Sequence, residues 1–257
     1  MTATLRLLGM GWWLQMKTRS RDPFDGILNI IYPLIFATTV FMMFREGGDE
    51  SALITAAVGA SVMGVWSAVA TSAAGSLQNE RRQGTLELLV AAPAPFPLLV
   101  VPMTLAMATL GLYSLVATLL WGRIVFQIPI SIDQPLVFAA AAIATAAGIS
   151  LMGFLLAVTA VRYRAAWALG TALEFPIWIV CGFLIPVATL PEWVQPISWI
   201  LPPTWGVAAI QDAAFGGTPW VNIAICLGLS AVYGVIGALL AGRLVNAART
   251  HATLALT

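Results

Sequence analysis

The chain has 257 residues, 60% of them apolar and only 9% charged, with a formal net charge of +1. Soluble domains carry about 25% charged residues, so this composition excludes a chain solvated by water alone and specifies one solvated by lipid. The near-zero net charge leaves no electrostatic footprint for nucleic acid.

The length accommodates about six spans of roughly 20 residues with short connections. No separate soluble domain of ordinary size fits in the remainder, so residues 1–257 read as a single membrane domain. Cys181 and Cys226 both lie in apolar runs, spaced for neither a metal site nor a disulfide framework, and read as packed thiols. The only histidine is His251, near the C-terminus. No metal site is therefore expected in the spans, nor a Ser–His or Cys–His dyad. Leu5–Leu14 is apolar, but the main positive cluster follows it, which is not the layout of a cleaved signal peptide.

Residues 3–22 predict an interfacial helix. At about 100° per residue, Leu5, Leu8, Trp12 and Met16 share one stripe, with Arg6, Lys17 and Arg21 round the other side. Arg19 falls near the apolar stripe and breaks the pattern. Trp12 and Trp13 suit the headgroup layer, while Lys17 and Arg21 suit anionic lipid. The alternative is a frayed leader without function. Asp22-Pro23 ends the helix, because proline disfavours helical geometry in the residue before it.

Span one is expected over 25–44, with a kink at Pro33. An acidic loop leads to span two, 51–77, where small residues permit close helix packing (Gly59 near Met63, Ala60 near Gly64, Ala70 near Ala74). Span three is expected over 98–125, with Pro102 tolerated in its first turn. Span four covers 136–161, and Arg162-Tyr163-Arg164 turns directly into span five, 165–187. Residues 188–218 are too broken by proline for a span and too apolar for a free loop. They read as two short helices that lie on the surface or re-enter the membrane. Span six is 219–241, followed by a short tail.

The distribution of Lys and Arg sets the orientation. With both termini on one side, that side holds Arg6, Lys17, Arg19, Arg21, Arg81, Arg82, Arg162, Arg164, Arg243 and Arg249, ten of the twelve. Only Arg45 and Arg123 fall opposite. Both termini and the stretch 78–97 are therefore expected to face the cytoplasm, in a multi-pass protein of the plasma membrane.

That stretch, QNERRQGTLELLVAAPAPFP, interrupts two long apolar runs. Gly84 permits a turn, Thr85 suits an N-cap, and Glu87 falls where a helix N-terminus favours negative charge. Leu86, Leu89 and Val90 make an i, i+3, i+4 apolar face, and Pro93, Pro95 and Pro97 stop the helix. About two turns of amphipathic helix parallel to the membrane are expected, flanked by Glu80, Arg81 and Arg82.

ERRQGTLELLVAAP resembles the motif of type-2 ABC transporter permeases, in which an acidic lead, Gly-Thr-Leu-Glu, a leucine pair and a proline follow span two. The resemblance extends to the interfacial helix, the six spans and the Pro/Trp-rich LPEWVQPISWILPPTW before span six, nearly the whole chain. It implies an all-α membrane fold. It also implies that Glu80, Arg81, Arg82, Gly84, Thr85, Leu86, Glu87, Leu88 and Leu89 form a coupling helix seated in a groove of a separate nucleotide-binding subunit. In this lead Glu80 is followed by Arg81-Arg82-Gln83, where the family places a second acid. No G-x-x-x-x-G-K-[ST] phosphate loop occurs and the only lysine is Lys17. ATP and its Mg would therefore be bound by the partner ATPase, with no cofactor and no catalytic residue in this chain. A second copy or a related permease would complete the path.

Three further candidates stand outside that motif. Glu174 is the one acid well inside an expected span, and an intramembrane carboxylate is costly unless paired. It reads as a substrate-path residue together with Trp178, or as an acid that Arg162 or Arg164 reaches by snorkelling. Trp199 and Trp205, with Trp193 and Trp220 nearby, offer faces for an apolar substrate or make an ordinary interfacial aromatic belt. Gly148-Ile149-Ser150 has the outline of a membrane serine-protease motif, but no histidine lies in a span to serve it. The expected function is the permease subunit of an ATP-driven exporter of a hydrophobic or amphipathic molecule such as a drug or antibiotic, a lipid or a lipid-linked glycan. The competing reading is a proton-coupled secondary transporter that uses Glu174. It calls for paired intramembrane charges or an inverted repeat, and the sequence has neither.

Overall fold

The computed structural model describes residues 2–19, 23–45, 50–84, 88, 92, 95–128, 132–162 and 166–251. Helix α1 is Thr2–Arg19, α2 is Pro23–Arg45 and α3 is Glu50–Arg82. They are followed by α4, Pro97–Val125, then α5, Pro135–Arg162, and α6, Ala166–Val180. After a short 3₁₀ turn at Val187–Thr189 come α7, Gln195–Ile200, α8, Pro202–Ala214, and α9, Trp220–His251. Pro97, Pro196 and Pro202 each lie in a helix's first turn, where the missing N–H has no intrahelical partner to lose.

Among the described residues, four helical stretches are long and apolar enough to cross a membrane: Leu53–Ala70, Pro97–Val125, Pro135–Thr159 and Trp220–Arg243. A shorter apolar stretch, Pro33–Met43, runs through α2. The fold is all-helical over the described residues.

The bundle is built round α3. Every residue from Ala56 to Ala70 is buried, so this helix is enclosed on all sides for about four turns. It packs against α2, α4, α5, α6 and α8. Small residues allow the approach, because lipid chains give helices no hydrophobic reason to associate and tight packing must supply the attraction. A Cβ on Gly111 of α4 would stand 2.8 Å from the Cα of Val65, and Gly64 lies against Ser114 and Pro33. Gly59 faces the carbonyl of Phe183 with no room for a side chain. On the far flank, α9 lies against α5 and α8, with Gly237 beneath the Phe154 ring. Its other face, including Leu227, Val232, Val235 and Leu239, is exposed.

Three ends differ from the sequence expectation. The helix expected to stop at residue 77 continues to Arg82, because no residue before Gly84 breaks it. The last helix runs on from the expected end at 241 to His251. The span expected over 165–187 instead ends at Val180. Gly182 takes φ +77, and the Phe183 amide donates to the Trp178 carbonyl at 3.0 Å. This left-handed cap closes the helix and turns Phe183 into the core against α3. The segment 188–218 divides unequally. α7 buries only Ser198, whereas α8 buries nine of its thirteen residues and begins with Pro202 packed on Gly148, roughly halfway along α5.

Candidate functional site

The expected coupling segment begins where the most enclosed helix ends. α3 runs unbroken from the buried core to Glu80, Arg81 and Arg82. Its 33 residues extend about 50 Å, against a hydrocarbon thickness of about 30 Å. Gly84 then takes φ +72, a conformation that side-chain-bearing residues avoid, and nothing crowds it. Glu80 is half-buried, Gln83 and Gly84 are exposed, and Leu88 is helical and 70% exposed. Thr85, Leu86, Glu87 and Leu89 lie outside the described residues, as do the side chains of Arg81 and Arg82. Beyond the segment, the Leu98 amide donates to the Pro95 carbonyl at 2.9 Å, and the Phe96 side chain is buried as α4 starts.

Helix α1 docks on α4 through the stripe the sequence marks. Leu8, Trp12 and Met16 are half-buried, whereas Leu5 at the end of that stripe is 64% exposed. The Trp12 indole donates to Thr109 Oγ1 at 3.1 Å, and Gly11 lets the helix close on Pro102. Trp13 is exposed and tilted against Trp12, and Lys17 is exposed. Arg21 lies outside the described residues.

Glu174 and Trp178 face the interior of the bundle. Glu174 is 2% exposed and accepts a hydrogen bond from the Ser67 hydroxyl of α3. Burial of a carboxyl group costs several kcal/mol unless it is hydrogen-bonded, so Ser67 accounts for its place there. Trp178 is 4% exposed and meets Phe36 and Phe175 edge-on, with ring centroids 5.1 Å away in both cases. Arg162 and Arg164, the alternative partners for Glu174, have side chains outside the described residues.

Trp199 and Trp205 meet at a cavity of about 280 Å³ between the end of α6, the 3₁₀ turn, α7 and α8. The Trp205 indole donates to the Trp199 carbonyl at 2.9 Å, which fixes one ring against the other's backbone. Trp199 stands at the rim, half-exposed, while Cys181 and Val207 are buried in the floor. The four path candidates thus fall into two pairs, Glu174 with Trp178 in the core and Trp199 with Trp205 at the cavity. Trp193 and Trp220 are exposed and do not line it. Ser150 of the protease-like triplet is buried and donates to Thr104 Oγ1 at 3.1 Å.

Ser67, Gly182, Thr204 and Gln211 also shape these places. Gly182 followed by Pro186 was a readable stop signal. Ser67, Thr204 and Gln211 carried no signal of their own, because small polar residues are common on packed membrane helices.

A family model described as ABC-2 type transporter matches residues 6–215. The match covers most of the chain, which therefore belongs to the ABC-2 type transporter family and is a permease subunit, a multi-pass membrane protein. No curated protein matches the chain.

Proposed function

We propose that this chain is the membrane-spanning half of an ATP-driven exporter, with six spans and both termini in the cytoplasm. The observation that carries the reading is mechanical. Helix α3, which ends at Arg82 just before the Gly84 turn, is held on all sides by five others. A load applied at the Arg82 end of α3 therefore reaches the middle of the bundle through a continuous hydrogen-bonded rod. A loosely tethered loop would dissipate it.

In this reading a separate ATPase subunit binds ATP and Mg and seats the segment 78–97 in a groove. Thr85, Leu86, Glu87, Leu88 and Leu89 form the contact, and Glu80, Arg81 and Arg82 set its charge. A second permease, identical or related, faces this one across the substrate path. Closure of the ATPase pair pushes both levers and rocks the two halves toward an outward-open state. The substrate is hydrophobic or amphipathic, a drug or antibiotic, a lipid or a lipid-linked glycan. The absence of formal charge among the residues lining the cavity supports that class.

The test is co-purification with an ATPase, followed by ATP turnover and transport in proteoliposomes. Gly84→Pro and Glu87→Arg are expected to uncouple the two, with hydrolysis retained and transport lost. A variant of either kind that still couples transport to hydrolysis would overturn the assignment of this segment.

A further inference from the structure

The cavity beside Trp199 and Trp205 has the chemistry of a built site. Its floor includes Thr204, a residue only 7% exposed whose hydroxyl has no hydrogen-bond partner beyond what the adjacent Cys181 thiol offers. A thiol is a weak donor and a weak acceptor, so the hydroxyl is left largely unsatisfied, which is costly in a buried place. Gln211, half-buried on the same helix, adds an amide to the lining. The remaining walls are apolar or aromatic, and no lining residue carries a formal charge. Pockets that hold small molecules share this pattern of apolar walls with a few convergent polar groups.

We propose that this cavity binds a small neutral aromatic molecule bearing a hydroxyl or carbonyl. The ring lies against the Trp199 and Trp205 indoles, and its polar group bonds the Gln211 amide and, once the Thr204 side chain rotates from Cys181 toward the cavity, Thr204 Oγ1. Absence of lining charge excludes an ionic ligand, because no lining group would compensate its desolvation. The volume of about 280 Å³ lies just below the usual range of about 300–1,000 Å³, which restricts the occupant to a few rings. The cavity joins the cap of α6 to α7 and α8, so an occupant braces the segment that links them. The inference rests on the export reading for the ligand's approach from the membrane, but its test is independent of transport.

The test uses the full chain in nanodiscs with 6-bromo-2-naphthol, a neutral naphthol at pH 7 whose bromine quenches indole fluorescence. A saturable quenching phase is expected above the linear background from partition into lipid. Thr204→Val should weaken that phase about tenfold, equivalent to loss of one hydrogen bond of about 1.4 kcal/mol, and Thr204→Ser should restore it. Ala208→Phe, which fills the cavity from a half-buried position, should abolish saturation while size-exclusion profile and helicity remain unchanged. 2-Bromonaphthalene, which lacks the hydroxyl, should give a saturable phase that Thr204→Val leaves unaffected. Linear quenching alone, or a saturable phase indifferent to both Thr204→Val and Ala208→Phe, would overturn the proposal. Saturable binding without ATP-driven transport would instead overturn the export reading alone.

Discussion

The hydrogen bond between Ser67 and Glu174 ties α6 to the central helix, and its strength can be measured with a double-mutant cycle. The perturbations are Ser67→Ala, Glu174→Leu and the pair together, with Glu174→Gln as a control that keeps an acceptor. Both residues are buried, and the Ser67 hydroxyl donates to the Glu174 carboxyl. Interhelical hydrogen bonds in membrane proteins average about 0.6 kcal/mol and reach about 1.7 kcal/mol. A carboxyl acceptor excluded from water belongs at the upper end. The expected coupling is therefore about 1.5 kcal/mol between Ser67 and Glu174, roughly tenfold in an equilibrium constant. Glu174→Gln alone keeps an acceptor oxygen and should cost less than Ser67→Ala, which strands the acid. Unfolding by SDS titration in mixed micelles, followed by tryptophan fluorescence, gives each free energy. If the two single changes simply add in the double variant, the hydrogen bond does not hold α6 to α3 and the account of Glu174 as a packed tie fails. Transport measured on the same proteins separates the proton-carrier reading. That reading requires Glu174→Gln to abolish transport, whereas the tie requires only a stability change.

Other substitutions probe the packing and the caps. Gly59→Ala drives a methyl group into the Phe183 backbone carbonyl, and overpacking of that kind costs about 1–3 kcal/mol or more. A sharp loss of folded protein on size exclusion is expected, and normal yield would refute the close approach. Gly228→Ala, where nothing lies within 4 Å, should instead stabilise α9 by about 0.5–1 kcal/mol through helix propensity, read by the same SDS titration. Gln127 holds φ 54 without being glycine, and the Ile128 amide donates to the Gly122 carbonyl to close α4. Gln127→Gly should therefore raise stability by about 0.5–1 kcal/mol, and a decrease would show that the side chain matters more than the turn.

Much of the architecture was legible because the bilayer imposes it. A chain this apolar must bond its backbone internally, so it forms helices, and proline and glycine mark their limits. Gly84 at positive φ after α3 and the half-buried stripe of Leu8, Trp12 and Met16 along α1 both follow from local rules. The α6 terminus was missed because the apolar run continues through residue 187, and hydropathy cannot distinguish a helix from a capped turn that dips into the core. Gly182 was the available signal, outweighed by the length of the run.

The sequence alone determined that this chain lives in lipid, that it is helical, and that a turn and an amphipathic motif interrupt it after the second long apolar run. Tertiary structure decided which helix stands at the centre. Leu53–Ala70 has a mean hydropathy of 1.8 and is 83% buried, whereas Trp220–Arg243 is more apolar at 2.3 and only 22% buried. In water that order would be reversed. In a bilayer the lipid-facing side is as apolar as the packed one, so small residues and not hydropathy select the core. The burial of Glu174 against Ser67, and the meeting of Trp199, Trp205 and Thr204 round one cavity, follow from that choice of centre. No periodicity along the chain encodes contacts between side chains so far apart in sequence.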